Sequence, residues 1–381
     1  HTPRARLKSS ICRCPQTTQP GANLTSPELD RFLIGNLRCR WKRGSPRPSN
    51  TSANVTANPM GPIVVIRPQS GYINRLQAIV SAQLMAEELG GQLLIAWEPS
   101  PITPVGMDAV LSADFCDRYL ISSEEAYSRI GLDIRSIPRY LQFDEQLGAV
   151  TLAGLDQGEQ HFMPALRSIL ATGNVSAIAI SAGGKFMLSG GSRLTPMEQE
   201  VFRLRRHAAY QALSLHHDVE AAADQCVIGH GEFLALHLRY SDRSLESPWR
   251  ARIAPALRRI HKDSGVSSLF VASDTWEERE RWVVRAPSLG LRPWCVEGTC
   301  VSRMDESGAH GAMLDWRLLT RAKSSVYFAS SSFAEEAAVA SGAYSGSLGL
   351  RAGPERIAWN KTRKFAQDVI TYPQRLRKRL R

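Results

Sequence analysis

The sequence predicts an α/β chain of two Rossmann-like domains facing a cleft, and three observations carry that prediction. Short apolar runs alternate with helical periodicity twice over, across residues 62–97 and again across 233–341. Three of the runs in the second stretch end in polar residues, at the edge where open α/β sheets bind ligands. The chain has 381 residues and 43% apolar content, enough for two cores at ~150 residues per domain.

The first half opens with Ile63-Val64-Val65-Ile66, a β-branched run that reads as a buried strand. Arg67 to Tyr72 holds Pro and Gly and reads as a loop. A helix follows from about Asn74 to Glu88, with Leu76, Ile79, Val80 and Leu84 on one face. Gly90-Gly91 stops it, and Leu93 to Trp97 is the next strand, completing a right-handed strand–helix–strand unit. Between 100 and 225 the pattern is weaker. Val175–Ile180 reads as a strand and Pro196–Leu213 as a helix with a basic outer face.

After Gly229–Gly231 a second α/β set begins. Strands are expected at Phe233–Leu238, Ser268–Ala272 and Val326–Ala329. Helices are expected at Pro255–His261, Trp276–Val284 (charged and exposed), Met313–Ala322 and Phe333–Ser341. The expected organisation is a disordered basic leader or stem over 1–60, an acceptor-side domain over 61–225, a ligand-binding domain over 226–350 and a basic tail over 351–381. There is no internal repeat beyond the alternation itself.

The net charge of +11 sits at the ends: residues 1–60 and 351–381 each carry +8, and residues 61–350 carry −5. A nucleic-acid enzyme places its basic charge on the folded face, so no nucleic-acid partner is expected. No run of ~18 apolar residues and no signal-peptide apolar region is present, so any anchor is expected upstream of His1. Five of the eight Asn residues, Asn23, Asn50, Asn54, Asn174 and Asn360, lie in N-x-Ser/Thr sequons. Composition alone gives roughly one, so a secretory-pathway lumen is expected. The seven cysteines leave the redox question open: Cys295 and Cys300 are near enough in sequence to close a small loop, and the count is odd.

The segment His237-Leu238-Arg239-Tyr240-Ser241-Asp242-Arg243 emerges from a strand end. An Arg there can grip a diphosphate through two parallel charge-assisted bonds, as Lys cannot; an Arg–Asp ion pair ending a strand would use the same residues. Two more strand ends follow, into Ser273-Asp274 and into Ser330-Ser331-Ser332. A Ser-rich turn at a helix start offers N–H groups and hydroxyls to an anion, or simply caps the helix.

These residues, in this order, resemble the α1,6-/α1,2-/protein O-fucosyltransferase group. Its motif His-x-Arg-Arg-Thr-Asp-Lys is similar to His237–Arg243, its Ala-Thr-Asp to Ala272-Ser273-Asp274, and its Leu-Asp helix, apolar strand and Ser-Ser to Leu314-Asp315 through Phe333. Its Gly-Gly-x-Gly-Asn-Arg-Leu loop resembles Ser70-Gly71-Tyr72-Ile73-Asn74-Arg75-Leu76, followed by Ala86-Glu87-Glu88-Leu89-Gly90 and Trp97. Asp114-Phe115-Cys116-Asp117 falls where that group has a Phe-containing stretch. The likeness spans about residues 62–343. Tyr240 stands where the group has its second Arg, Arg243 where it has Lys, and Gly71 is the one glycine the loop keeps.

The resemblance implies a GT-B-like fold and an inverting, metal-independent transferase moving fucose from GDP-fucose to a glycan or glycoprotein, with Golgi residence. It implies that His237 and Asp274 contact guanine, that Arg239 holds the β-phosphate and that Ser331 and Ser332 bind phosphate oxygens, with Asp242, Ser330 and Phe333 also at the donor site. Gly71, Asn74 and Arg75 would close over the donor. Arg239 and Arg243 would carry catalysis with Glu246 as base, and Glu98 is the rival base. A transferase for another nucleotide sugar, or a non-catalytic glycan- or nucleotide-binding protein, is the alternative that Tyr240 keeps open. Gly183-Gly184-Lys185 lacks phosphate-loop spacing, and His207, His216 and His217 have no metal-ligand partner in the sequence.

Overall fold

The structure, a computed structural model, describes residues 61–137, 141–153, 163–171, 175–188, 194–239, 248–296, 305–329 and 331–351. Contacts divide the chain into residues 1–56 and 57–381, and both sheets lie in the second unit. The leader 1–60, residues 352–381 and the asparagines of all five sequons fall outside the described residues.

The first sheet holds β1 (Ile63–Pro68), β2 (Gln92–Ile95), β3 (Gln142–Asp144), β4 (Ala149–Ala153) and β5 (Ala177–Ala182) in the order β2-β1-β5-β4-β3. All pairs are parallel except β3, an antiparallel edge strand on β4. Val64, Val65 and Ile66 of β1 are fully buried, which is why the run has no alternation. Helix α1 (Tyr72–Leu89) joins β1 to β2. It ends on Gly90 at φ 63, a left-handed cap. Gly91 has a separate reason: a Cβ there would overlap the Pro62 carbonyl oxygen.

The weakly patterned middle adds α2 (Ala113–Tyr119), α3 (Ser123–Ile130) and α4 (Met163–Ala171) to the expected α5 (Pro196–Ala212). Helix α6 (His217–His230) follows, and the expected domain boundary at 225/226 falls inside it. Its Val219 and Ala223 belong to the same apolar cluster as Val64 of the first sheet and Ala235 and Phe270 of the second. The two halves therefore share a core, and Gly231 at φ 64 ends this helix.

The second sheet holds β6 (Leu234–Leu238), β7 (Ser268–Ser273), β8 (Arg292–Trp294), β9 (Ser324–Phe328) and β10 (Leu348–Leu350), all parallel, in the order β10-β9-β6-β7-β8. Helices α7 (Pro248–Ser264), α8 (Trp276–Arg285), α9 (Glu306–Arg321) and α10 (Ser332–Ala340) cover it. Helix α7 starts seven residues before the expected Pro255, which lies exposed in its interior. Helix α8 is not an exposed element: Glu278, Arg279 and Trp282 are buried.

Both sheets change direction at one place. In the first the chain runs from β1 out to β2, crosses to the far edge at β3 and comes back through β4 to β5 beside β1; in the second it runs from β6 out through β7 and β8 and returns as β9. The loops leaving β1, β6 and β9 emerge at these switch points.

Candidate functional site

A cleft of ≈ 330 Å³ lies at these loops, lined by Ser70, Gly71, Tyr72, Ile73, Asn74, Ile102, Arg239, Ala312, Ser332 and Phe333. Its size suits a small-molecule site. Two helices begin on it: α1, with Gly71 as N-cap, and α10, with Ser331 as N-cap, and neither cap residue makes a side-chain capping bond. The first-turn N–H groups of a helix have no partner within the helix, and its N-terminus carries a partial positive charge. Two such ends and the Arg239 guanidinium border the same cavity, an arrangement built for an anion with more than one charged group.

The backbone before α1 is strained. Ser70 has φ 70, the one non-glycine residue with positive φ among the described residues. It is held there from three sides: Asn74 Nδ2 donates to Ser70 Oγ at 3.0 Å, and Arg75 Nε (3.1 Å) and Thr103 Oγ1 (3.4 Å) donate to its carbonyl oxygen.

Arg75, expected with Gly71 and Asn74 over a donor, is placed apart from them. It is 1% exposed and does not line the cleft. Its remaining bonds run to Glu98 O at 2.8 Å and Ser100 Oγ at 3.2 Å, and its guanidinium lies 4.5 Å from the Trp97 ring centroid. Burial lowers its pKa to about 10. Arg75 ties the loop after β1 to the loop after β2, whose tip carries Ile102 into the cleft.

The other expected residues divide. Gly71, Asn74, Arg239, Ser332 and Phe333 meet at the cleft. His237 is buried, its ring stacked on Phe333 at 5.1 Å between centroids, so it supports the cleft wall rather than opening onto it. Ser331 is 1% exposed, and its Oγ has no hydrogen-bond partner among the described residues. Asp274 sits half-buried past β7, outside the lining. Arg279 Nε donates to the carbonyl of neighbouring Ser273 at 2.9 Å, and its Nη2 reaches Asp315 Oδ2 at 2.6 Å. Burial raises the Asp315 pKa to about 6 against the pull of Arg279. Asp242, Arg243, Glu246 and Ser330 lie outside the described residues, as does Cys300. Glu98 is engaged by Arg67 (2.8 Å) and Ser123 Oγ (2.5 Å) and is not a lining residue.

Ile102, Tyr72, Ile73 and Ala312 were not expected. Ile102 stands between Pro101 and Pro104 just past the carboxyl end of β2, the one signal that could have marked it. The histidines also differ from expectation. The Asp218 carboxylate lies 3.1 Å from His217 Nε2 and 3.8 Å from His216 Nδ1, and this is the one His/Cys/Asp/Glu group among the described residues compact enough for a cation. His216 Nδ1 accepts the Asp218 N–H as the cap of α6, and a helix N-terminus opposes a cation. No helix is long and apolar enough to cross a membrane among the described residues.

Neither a protein-family model nor a curated protein matches the sequence. Solved structures do. An Arg-to-Lys variant of Arabidopsis thaliana FUT1 in complex with GDP is 14% identical, covers 76% of this chain and 70% of its own, and superposes with a TM-score of 0.52. NodZ, an α-1,6-fucosyltransferase soaked with GDP-fucose, is 15% identical over 73% of this chain and 92% of its own, with a TM-score of 0.44. POFUT1 in complex with GDP is 12% identical over 77% and 98%, with a TM-score of 0.45. Two parallel-rich Rossmann-like sheets meeting at their switch points make a GT-B-like fold, and it is similar to the fold of the Arabidopsis thaliana FUT1 structure.

Proposed function

We propose that this chain transfers fucose from GDP-fucose to a hydroxyl group of a glycan or glycoprotein, with inversion at the sugar's C1. The observation that carries the reading is the convergence of the α1 and α10 N-termini with Arg239 on one cleft. A diphosphate fits that charge pattern, and Ser331 Oγ, buried at the start of α10, can donate to a phosphate oxygen. The FUT1 structure whose fold this chain resembles holds GDP.

In the proposed step the acceptor oxygen attacks C1 from the face opposite the diphosphate. The C1–O bond to the β-phosphate breaks, and GDP leaves with the electron pair. Arg239 and the two helix ends stabilise the charge that builds on the leaving oxygen, the part a divalent cation plays in other transferases. The acceptor proton passes to a carboxylate. Glu98 is committed to Arg67 and Ser123, which favours Glu246, three residues after Arg243 in the sequence.

Thermal stabilisation across GDP, UDP, CDP and ADP, followed by donor turnover, tests the reading. GDP at 100 times its Kd raises stability by ~2.7 kcal/mol. Selective stabilisation by UDP would replace the donor assignment, and GDP binding without turnover against any acceptor would favour the non-catalytic reading. The five sequons support residence in the secretory pathway, with the Golgi lumen as the proposed site. A mobility shift on enzymatic deglycosylation of protein from secretory cells checks it, and an unmodified chain would sink it.

A further inference from the structure

Helix α10 grows from a strand of the second sheet, yet the first half grips it. One turn past Ser332, Glu336 is 0% exposed. Its carboxylate accepts from Arg206, from Lys185 Nζ at 3.1 Å and from Tyr210 OH at 3.2 Å. Arg206 and Tyr210 stand on α5, and Lys185 follows β5. The same face of α5 holds the other end of α10: His207 Nδ1 lies 3.0 Å and Gln211 Nε2 2.6 Å from the Ala340 carbonyl oxygen.

A carboxylate taken wholly out of water is expensive even when paired, and an apolar side chain of similar size often serves stability as well. The network therefore calls for a reason other than stability. A helix is stiff over one turn, so fixing Glu336 fixes Ser332 about 6 Å away along the axis. Helix α1, whose first turn forms the opposite wall, packs against the same cluster.

We propose that Glu336 is a positioning residue for the cleft: through Lys185, Arg206 and Tyr210 it sets α10 so that Ser332 and Phe333 face Gly71–Asn74 at the spacing a diphosphate needs. The proposal rests on the nucleotide-sugar reading for its ligand and on the geometry alone for the positioning. It implies that the two halves do not part along this seam when donor binds.

The test compares Glu336→Gln with Leu152→Ala, a β4 core variant outside the cleft lining, each read for melting temperature, GDP affinity and ligand-free hydrogen exchange. Glu336→Gln is expected to weaken GDP binding at least tenfold and to speed exchange of the Ser332–Ala334 amides at least tenfold. Leu152→Ala, at a similar loss of melting temperature, is expected to change neither. Should Glu336→Gln fail to fold, Tyr210→Phe removes one bond and keeps the ring, with a smaller shift in the same direction. Equal exchange and equal GDP affinity in the two variants would overturn the proposal. If the unmodified protein fails to bind GDP, the functional reading falls, and the exchange comparison still decides the positioning.

Discussion

Arg75 Nη1 donates to the main-chain oxygen of Glu98 at 2.8 Å while Nε of the same side chain donates to Ser70 O at 3.1 Å. One buried guanidinium thus fastens the ends of two neighbouring strands. Lys offers a single nitrogen and cannot span both. Arg75→Lys is expected to cost ~3 kcal/mol, since it leaves buried carbonyls without donors, and to weaken GDP binding by loosening Ser70 and Ile102. Urea unfolding checks it: the midpoint falls at unchanged slope. An unchanged midpoint would mean the two loops hold without it.

Arg239 is half-buried at the cleft. Arg239→Lys is expected to fold normally and to lose 10²–10³ in rate, ~2.7–4 kcal/mol of transition-state stabilisation, because Lys keeps the charge without the planar two-point grip. Arg243→Lys is expected to be mild. Activity is expected to persist in EDTA. Near-normal turnover in Arg239→Lys would leave the helix ends as the sole charge stabilisers.

Ser70 combines a left-handed backbone with a side chain that accepts from Asn74. Ser70→Ala and Ser70→Gly lose the same hydrogen bond, but glycine alone escapes the backbone penalty. The glycine variant is expected to be the more stable of the two by ~1 kcal/mol, read from their unfolding curves. The reverse order would place the strain elsewhere.

Two buried carboxylates pull stability in opposite directions as pH changes. Asp315 titrates at about 6 in the folded chain, raised by burial, against ~3.9 unfolded. The folded state thus binds the extra proton, and stability falls as pH rises from ~4 to ~6. Glu336 is pushed up by burial, but Arg206 and Lys185 overcome this and hold it at about 2, against ~4.3 unfolded. Its contribution is complete above ~4.3 and is lost as pH falls towards 2. The stability difference between the parent and Asp315→Asn should therefore change between pH 4 and 6 and level off above. The difference between the parent and Glu336→Gln should change below ~4.3. Flat differences would remove these groups from the pH response.

Strands β1, β6, β7 and β9 were legible because a strand buried on both faces writes itself as an apolar run. Polar residues after β1, β6 and β9 lie at the cleft, and those after β7 do not. Side-chain direction was not legible. Asn74 and Arg75 are neighbours on α1, but successive helical residues point about 100° apart, so one reaches the cleft and the other the Trp97 ring. Charge misled on α8, where Glu278 and Arg279 are buried, because sequence shows a charge and not the partner that lets it be buried. Proline misled on α7, where Pro255 reads as a helix start yet lies exposed in the interior. Ala312 lines the cleft with a side chain indistinguishable in sequence from core, and Ile102 is marked only by the prolines around it.

The short strand β3 has a consequence for handling the protein. Its partner β4 reads Ala-Val-Thr-Leu-Ala and is buried throughout. Among the described residues its outer edge pairs with Gln142–Asp144, three residues whose side chains are largely in water. A long apolar strand with an open edge is a template on which other copies add. Cleavage or deletion near this hairpin would leave the cleft intact on paper while turning the sheet into a seed for precipitation.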